Sequence, residues 1–346
     1  MQKLPKVELH VHLERALRFQ VARRIDADFT PQRYVRELAG LPTMPRPDQY
    51  TARRCAALGL LQSEEALRLA VKDLVQQLAE DGVIYAEIRL APFLHTREGL
   101  SPENVVRVVV NSLDRAYHDT HIETRLILCT VQTAPEIQSE TVAQLTERFW
   151  GIRVAGFGLM EDPCRAVRNS DALWSVKTHF SAFAWLTERG IPRVVDAEET
   201  VGVERLWEMV TLYVPRRIGH ALPCMDDADL QLLLRFRRTH LELCPARDVQ
   251  LGLIGDLREH PLEGLYRAGH LVSVSTDGRV TTPTTLSETY AALQERCDWR
   301  REEFLACNIM ALESSFAPPE LKAQLRKRLY QAYGVHDPRK KRRRRR

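Results

Sequence analysis

Apolar positions along this chain alternate between two rhythms. Short runs rich in β-branched residues recur between longer stretches in which apolar residues return at the spacing of an amphipathic helix. The runs read as strands over Val7 to His12, Ile84 to Leu90, Arg125 to Val131, Val154 to Leu159, Arg193 to Asp196, Arg217 to Ala221, His240 to Cys244 and Leu271 to Thr276. Helical patterns occupy Ser63 to Glu80, Pro102 to His118, Ser170 to Arg189, Val201 to Val214 and Asp226 to Arg238. The first opens on the N-terminal signal Ser63-Glu64-Glu65 and stops at Asp81-Gly82, just before the next strand. Strands that alternate with helices build a parallel sheet, and eight of them is the number that closes a barrel. The predicted fold is α/β, a TIM-like (β/α)8 barrel with additional helices.

The additions fall in two places. Phe29 to Leu61, between the first and second strands, is rich in Pro, Arg and Thr and adds helices at the strand's C-terminal rim, where barrels keep lids and substrate walls. After Asp277 the chain continues through helical patterns over Thr285 to Arg296, Arg301 to Ala311 and Pro318 to Tyr333. No internal repeat or linker divides it, so one barrel domain is predicted over 1–334, followed by a basic tail over 335–346.

With 346 residues, 44% of them hydrophobic, the chain has enough apolar material for one large core. No apolar stretch reaches membrane-spanning length, and Met1-Gln2-Lys3-Leu4-Pro5-Lys6 leads into a strand without a signal-peptide pattern, so a soluble, cytoplasmic protein is expected. Seven cysteines without a C-x-x-C pair are expected to be reduced and mostly to serve packing. The formal charge of +4 arises in the tail: eight of the 50 basic residues form Arg339 to Arg346, and the remaining 42 are outnumbered by 46 acidic residues. A mildly acidic body is not the footprint of a nucleic-acid-binding domain. The tail is expected to be a solvated, disordered end whose only foreseen interaction is weak polyanion binding. The sequence carries no signal for oligomeric state.

The candidate chemistry begins in the first strand. His10 and His12 are one residue apart, so a strand directs both rings to one face, where their nitrogens can hold a borderline metal ion. Other ligands and acid–base groups recur at the ends of later strands: Asp196 and Glu199, His220, and Asp277. Polar groups repeated at C-terminal strand ends are how a parallel barrel assembles a site.

These residues sit in longer stretches that resemble the adenosine deaminase family of metal-dependent amidohydrolases. The matching stretches are Pro5-Lys6-Val7-Glu8-Leu9-His10-Val11-His12-Leu13-Glu14, Tyr85-Ala86-Glu87-Ile88-Arg89-Leu90-Ala91-Pro92, Arg217-Ile218-Gly219-His220, Leu241-Glu242-Leu243-Cys244-Pro245 and Ser275-Thr276-Asp277, in family order and spacing. The resemblance implies that His10, His12 and Asp277 are metal ligands, with Asp196 at the position of the remaining one. It further implies that Glu199 protonates the purine ring, that His220 orients and deprotonates water, and that Glu14 contacts the ribose. The implied cofactor is one divalent ion, zinc, with manganese or iron as competitors. The implied reaction is hydrolytic deamination of adenosine or a related purine nucleoside or nucleotide. A second class of zinc deaminase pairs H-x-E with P-C-x-x-C. His12-Leu13-Glu14 fits the first half, but Pro223-Cys224-Met225-Asp226-Asp227 lacks the second cysteine.

Four positions depart from the family pattern. Asp196 stands where a third histidine is usual, Gly278 where a second aspartate follows Asp277, and Arg15 and Glu161 where glycines approach the substrate. Asp196 as a ligand makes the protein donors formally neutralise a divalent ion and opens the site to manganese or iron. Arg15, Glu161 and Arg279 are expected at the substrate rim. Two outcomes are open there: the arginines pair with Glu161 and Glu198 and fill the cavity, or they bind a phosphate or carboxylate on the substrate. The first outcome leads to the alternative function, a catalytically impaired pseudoenzyme that keeps the barrel as a binding or scaffold protein.

Overall fold

The computed structural model describes residues 4–44, 46–164, 174–198 and 201–337. Eight parallel strands run β1 (Lys6–His12), β2 (Val83–Leu90), β3 (Glu123–Val131), β4 (Val154–Met160), β5 (Arg193–Asp196), β6 (Arg217–Gly219), β7 (His240–Leu243) and β8 (Leu271–Val274), each hydrogen-bonded to the next in sequence. The ring closes just beyond β8: the Asp277 amide donates to the His10 carbonyl and the His12 amide to the Asp277 carbonyl, both at 3.0 Å. Closure therefore carries Asp277 directly to the two first-strand histidines.

Helices cover the outside, so the strands are buried on both faces over nearly their whole length. Glu64–Glu80 begins where Ser63 Oγ accepts from the Ala66 amide, and Pro102–Thr120 where Ser101 Oγ accepts from the Asn104 amide. Gly82, at φ 77°, makes the left-handed turn from the first of these into β2. In β1, Leu9 and Val11 join the main apolar core while Glu8, His10 and His12 take the alternate positions. The C-terminal helices Arg301–Ser314 and Pro319–Tyr333 complete the shell, and Asn308 Oδ1 accepts from the Val7 amide at 2.7 Å.

The expected strands form, with small changes at their ends. β6 stops at Gly219 rather than Ala221 because His220 and Ala221 turn left-handed, at φ 63° and 60°. The helix expected over Ser170 to Arg189 is shorter: a 3-10 turn, Val176–His179, precedes Phe180–Glu188, and the positions before Trp174 lie outside the described residues. The basic run Arg339 to Arg346 also lies outside them. The expectation of reduced cysteines is overturned at one pair. Cys55, on the insertion helix Pro47–Leu60, is disulfide-bonded to Cys164 after β4, across 109 positions of sequence. Only folding brings these two together, so spacing gave no hint of the bond.

Candidate active site

The C-terminal mouth gathers a cluster of imidazoles and carboxylates. His10 Nε2 and His12 Nε2 are 3.3 Å apart and lie 3.5 and 3.6 Å from Asp277 Oδ1. Bonds of about 2.0–2.2 Å to a shared zinc-sized ion set ligand atoms about 3–3.5 Å apart, so these three donors fit one ion. His220 Nε2 is 3.8 Å from the same Asp277 oxygen, and neither of its ring nitrogens has a hydrogen-bond partner. Both nitrogens are thus free to meet a ligand or a reacting water. Burial, with Arg247 and His10 nearby, pushes the His220 pKa down to about 4, which leaves the ring neutral and able to accept a proton.

Neighbouring carboxylates orient the rings. His10 Nδ1 lies 3.1 Å from Glu242 Oε2, and His12 Nδ1 lies 3.2 Å from Glu14 Oε1. Burial opposes the Glu14 charge, but His12 and Arg15 hold its pKa at about 2. Backbone geometry serves the same end. Asp277 and His220 hold φ of 64° and 63°, sparsely populated values for residues with side chains and ones that cluster at functional sites. Gly219 leaves room for the rings: a Cβ there falls 2.5 Å from His10 Cε1 and 2.7 Å from His10 Nδ1.

Asp196 sits beside this cluster but is otherwise engaged. Its Oδ2 is 3.9 Å from His10 Nε2, and its two oxygens accept from Arg89 Nη2 and Nε at 2.7 and 3.0 Å. Arg89 also donates to Glu242 Oε2 at 2.7 Å, and Glu242 Oε1 faces Arg217 Nε at 2.7 Å. A bidentate guanidinium thus neutralises the carboxylate that replaces the usual histidine. Of the four expected metal ligands, His10, His12 and Asp277 share one focus, while Asp196 pairs with Arg89 and stands with His10 and Glu242 in a second group whose donor atoms lie within 4.8 Å of one another.

The expected substrate-rim residues are placed as follows. Arg15 Nη1 donates to Asp277 Oδ1 at 2.5 Å, and Arg15 Nη2 lies 3.5 Å from Glu198 Oε1. Glu161 Oε2 accepts from Arg54 at 2.8 Å. Glu14 orients His12, as described above. Arg279 is not at the mouth: it turns to Asp81, 2.7 Å away, and approaches Glu8 at 3.6 Å. Glu199 lies outside the described residues.

Sequence reasoning missed Tyr50, Arg54 and Arg247 altogether. Tyr50 Oη donates to Asp277 Oδ2 at 2.6 Å, while Arg54 and Arg247 both donate to Glu198. Tyr50, Arg54 and Leu58 are four residues apart on one helix face, and that spacing was the available signal that Arg54 points inward.

A closed parallel barrel with imidazoles and a carboxylate converging at its C-terminal mouth defines a class: hydrolases of the metal-dependent amidohydrolase type. The particular family follows from comparison, since the model of the family described as Adenosine deaminase matches residues 5–332, and the chain belongs to that family. An adenosine deaminase from Lacticaseibacillus casei is 30% identical over 97% of this chain and 98% of its own length. Arabidopsis ADAL complexed with IMP is similar in structure, with TM-score 0.84, 21% identity and coverage of 96% of this chain and 98% of that one. An amidohydrolase from Burkholderia ambifaria with bound Zn gives TM-score 0.82 at 18% identity, covering 96% and 91%. Both structures share the fold. The protein is a purine deaminase-type hydrolase acting on C–N bonds, and the noncatalytic scaffold alternative is not favoured. Among the described residues no helix is long and apolar enough to cross a membrane.

Proposed function

We propose that this chain hydrolyses the exocyclic amine of an adenine-containing nucleoside or nucleotide, with one zinc ion held by His10, His12 and Asp277. The observation that carries this reading is the common focus of His10 Nε2, His12 Nε2 and Asp277 Oδ1 beside the unpartnered nitrogens of His220. A divalent ion at that focus supplies Lewis acidity, which brings the pKa of water within reach of neutral pH. His220, kept neutral by its burial, accepts the proton of the attacking water at a ring nitrogen. Glu199, at the family's acid position, delivers a proton to the purine ring. Glu14 and Glu242 hold the ligand rings in orientation through their Nδ1 atoms. The water oxygen becomes the carbonyl oxygen of the product; His220 passes the proton it accepted to the amine, which leaves as ammonia, and the second water proton restores Glu199.

Arg89 pairs with Asp196 and Arg15 with Asp277, so two imidazoles and carboxylates balanced by guanidiniums leave a divalent ion with a formal positive charge, which favours acidification of water. The zinc of the Burkholderia relative and the IMP of Arabidopsis ADAL support the choice of ion and of ligand class. An ammonia-release assay on zinc-reconstituted protein tests the reading, with adenosine, deoxyadenosine, adenine and AMP as substrates. Turnover of at least one, abolished by Glu199→Ala, is expected; no release from any of the four by folded, zinc-loaded protein overturns it.

A further inference from the structure

Each of the three proposed metal ligands has a polar partner that fixes its direction. Glu242, on β7, lies 3.1 Å from His10 Nδ1, and Glu14, just after β1, lies 3.2 Å from His12 Nδ1. The barrel itself supplies both of these. Asp277 is placed differently, since β8 ends at Val274 and leaves it in a left-handed turn at φ 64°. Its Oδ2 is held from the insertion, where Tyr50 Oη donates at 2.6 Å. That is the length expected of a hydroxyl that donates to an ionised carboxylate.

The surroundings of Tyr50 keep its hydroxyl on this one acceptor. The side chain is buried, its ring packs with Met44 and Leu251, and the guanidiniums of Arg54 and Arg247 lie 5.3 and 5.6 Å from its centroid. The helix Pro47–Leu60 is anchored just beyond it, because Arg53 Nε donates to the Ala39 carbonyl at 2.8 Å and Cys55 is bonded to Cys164. With Oδ2 taken by Tyr50, Oδ1 is the oxygen that faces His10, His12 and His220, at 3.5, 3.6 and 3.8 Å. Arg15 donates to Oδ1 at 2.5 Å, and a carboxylate oxygen has a second lone pair for an ion. Arg247 Nε, 3.7 Å from Oδ2, is too distant to replace the phenol.

We propose that Tyr50 is a positioning residue of the metal centre, whose hydroxyl fixes the Asp277 carboxylate with Oδ1 turned to the ion. It does for the aspartate what Glu242 and Glu14 do for the two histidines. The proposal rests on the zinc site described under the deaminase reading and adds to it a residue from outside the barrel strands. Without the hydroxyl the carboxylate can turn about its Cβ–Cγ bond, and binding an ion must restrict that motion.

Tyr50→Phe tests this, because it removes the hydroxyl and keeps the ring that packs with Met44, Leu251 and the two guanidiniums. In chelator competition the variant is expected to bind zinc about tenfold more weakly, as loss of a ligand's outer partner typically does. Its cobalt(II)-substituted form is expected to differ from wild type in visible absorption, which reports the arrangement of ligands around the ion and which ring packing alone leaves unchanged. In an Asp277→Ala background the same substitution is expected to change zinc affinity by less than threefold, since Tyr50 acts through that carboxylate. Zinc affinity within threefold of wild type overturns the proposal, as does an unchanged cobalt spectrum or an equal loss in the Asp277→Ala background. If Tyr50→Phe does not fold, ultraviolet difference absorption of the wild type decides. Zinc uptake weakens Asp277 as an acceptor and is expected to produce a tyrosine difference band, whose absence contradicts the proposal. A wild type that takes up no zinc overturns the metal site and this role together, whereas a zinc-binding wild type matched by Tyr50→Phe overturns the role of Tyr50 alone.

Discussion

At the scale of single residues, the deciding contrast is between two aspartates at strand ends. Asp277 Oδ1 lies within 3.6 Å of both imidazoles although Arg15 and Tyr50 also hold its two oxygens, whereas Asp196, paired with Arg89, approaches only His10, at 3.9 Å. Asp277→Asn is therefore expected to weaken zinc affinity by tenfold or more in chelator competition, and Asp196→Asn to change it by less than threefold. Equal losses would restore Asp196 as a ligand. A second residue sets a pH dependence. Burial raises the Glu8 pKa to about 7, against the opposing effects of Arg279 and the Thr276 amide. The folded chain keeps this proton up to about pH 7, whereas the unfolded chain releases it near 4.5, so folding binds protons between these values and stability falls as pH rises through them. The loss from this group is about 3 kcal/mol at most. Glu8→Gln is expected to flatten the fall in Tm between pH 5 and 7.5; an unchanged slope contradicts the assignment. His10, His12, His220 and Asp277 were legible in the sequence because strand alternation and strand ends fix where such side chains point. The partner of Asp196 was not, because Arg89 reaches it across 107 positions by a contact that only barrel closure creates.

At the scale of elements, the strands were legible nearly to the residue, and the insertion was legible only as helical. β5 runs over Arg193–Asp196 as expected, because a short β-branched run bounded by Pro192 has no competing pattern. The insertion's role depends on what its helix Pro47–Leu60 touches, namely Asp277 through Tyr50, Glu161 and Glu198 through Arg54, and Cys164 through Cys55. Cross-linking distant positions restricts the unfolded chain, typically by about 2–4 kcal/mol. Cys55→Ser is expected to lower stability by about that amount in denaturant unfolding, and non-reducing peptide mapping should recover Cys55 and Cys164 in one linked fragment. Free thiols at both positions under oxidising conditions contradict the bond. Element ends also bar a simple return to the family sequence. A Cβ on Gly278 falls 2.5 Å from Thr281 Oγ1 and 2.9 Å from Arg15 Cβ, so Gly278→Asp is expected to cost about 1–3 kcal/mol by overpacking. A Gly278→Asp variant as stable as wild type would show that this loop yields.

At the scale of the whole molecule, sequence rhythm determined the barrel because each strand and its helix are local, while closure brings residues from β1 and the end of β8 into one place. The buried charge cluster beside the histidines is the product of that closure: Arg15, Arg54 and Arg247 come from three separate segments and meet only around Glu198. The proposed metal centre is thus a property of the assembled ring. The most direct measurement is elemental analysis of protein reconstituted with zinc and freed of excess, for wild type and for His12→Ala matched in circular dichroism. One equivalent of zinc per wild-type chain, lost in His12→Ala, is the expected result; a folded wild type that retains no zinc would contradict the metal centre on which the account is built.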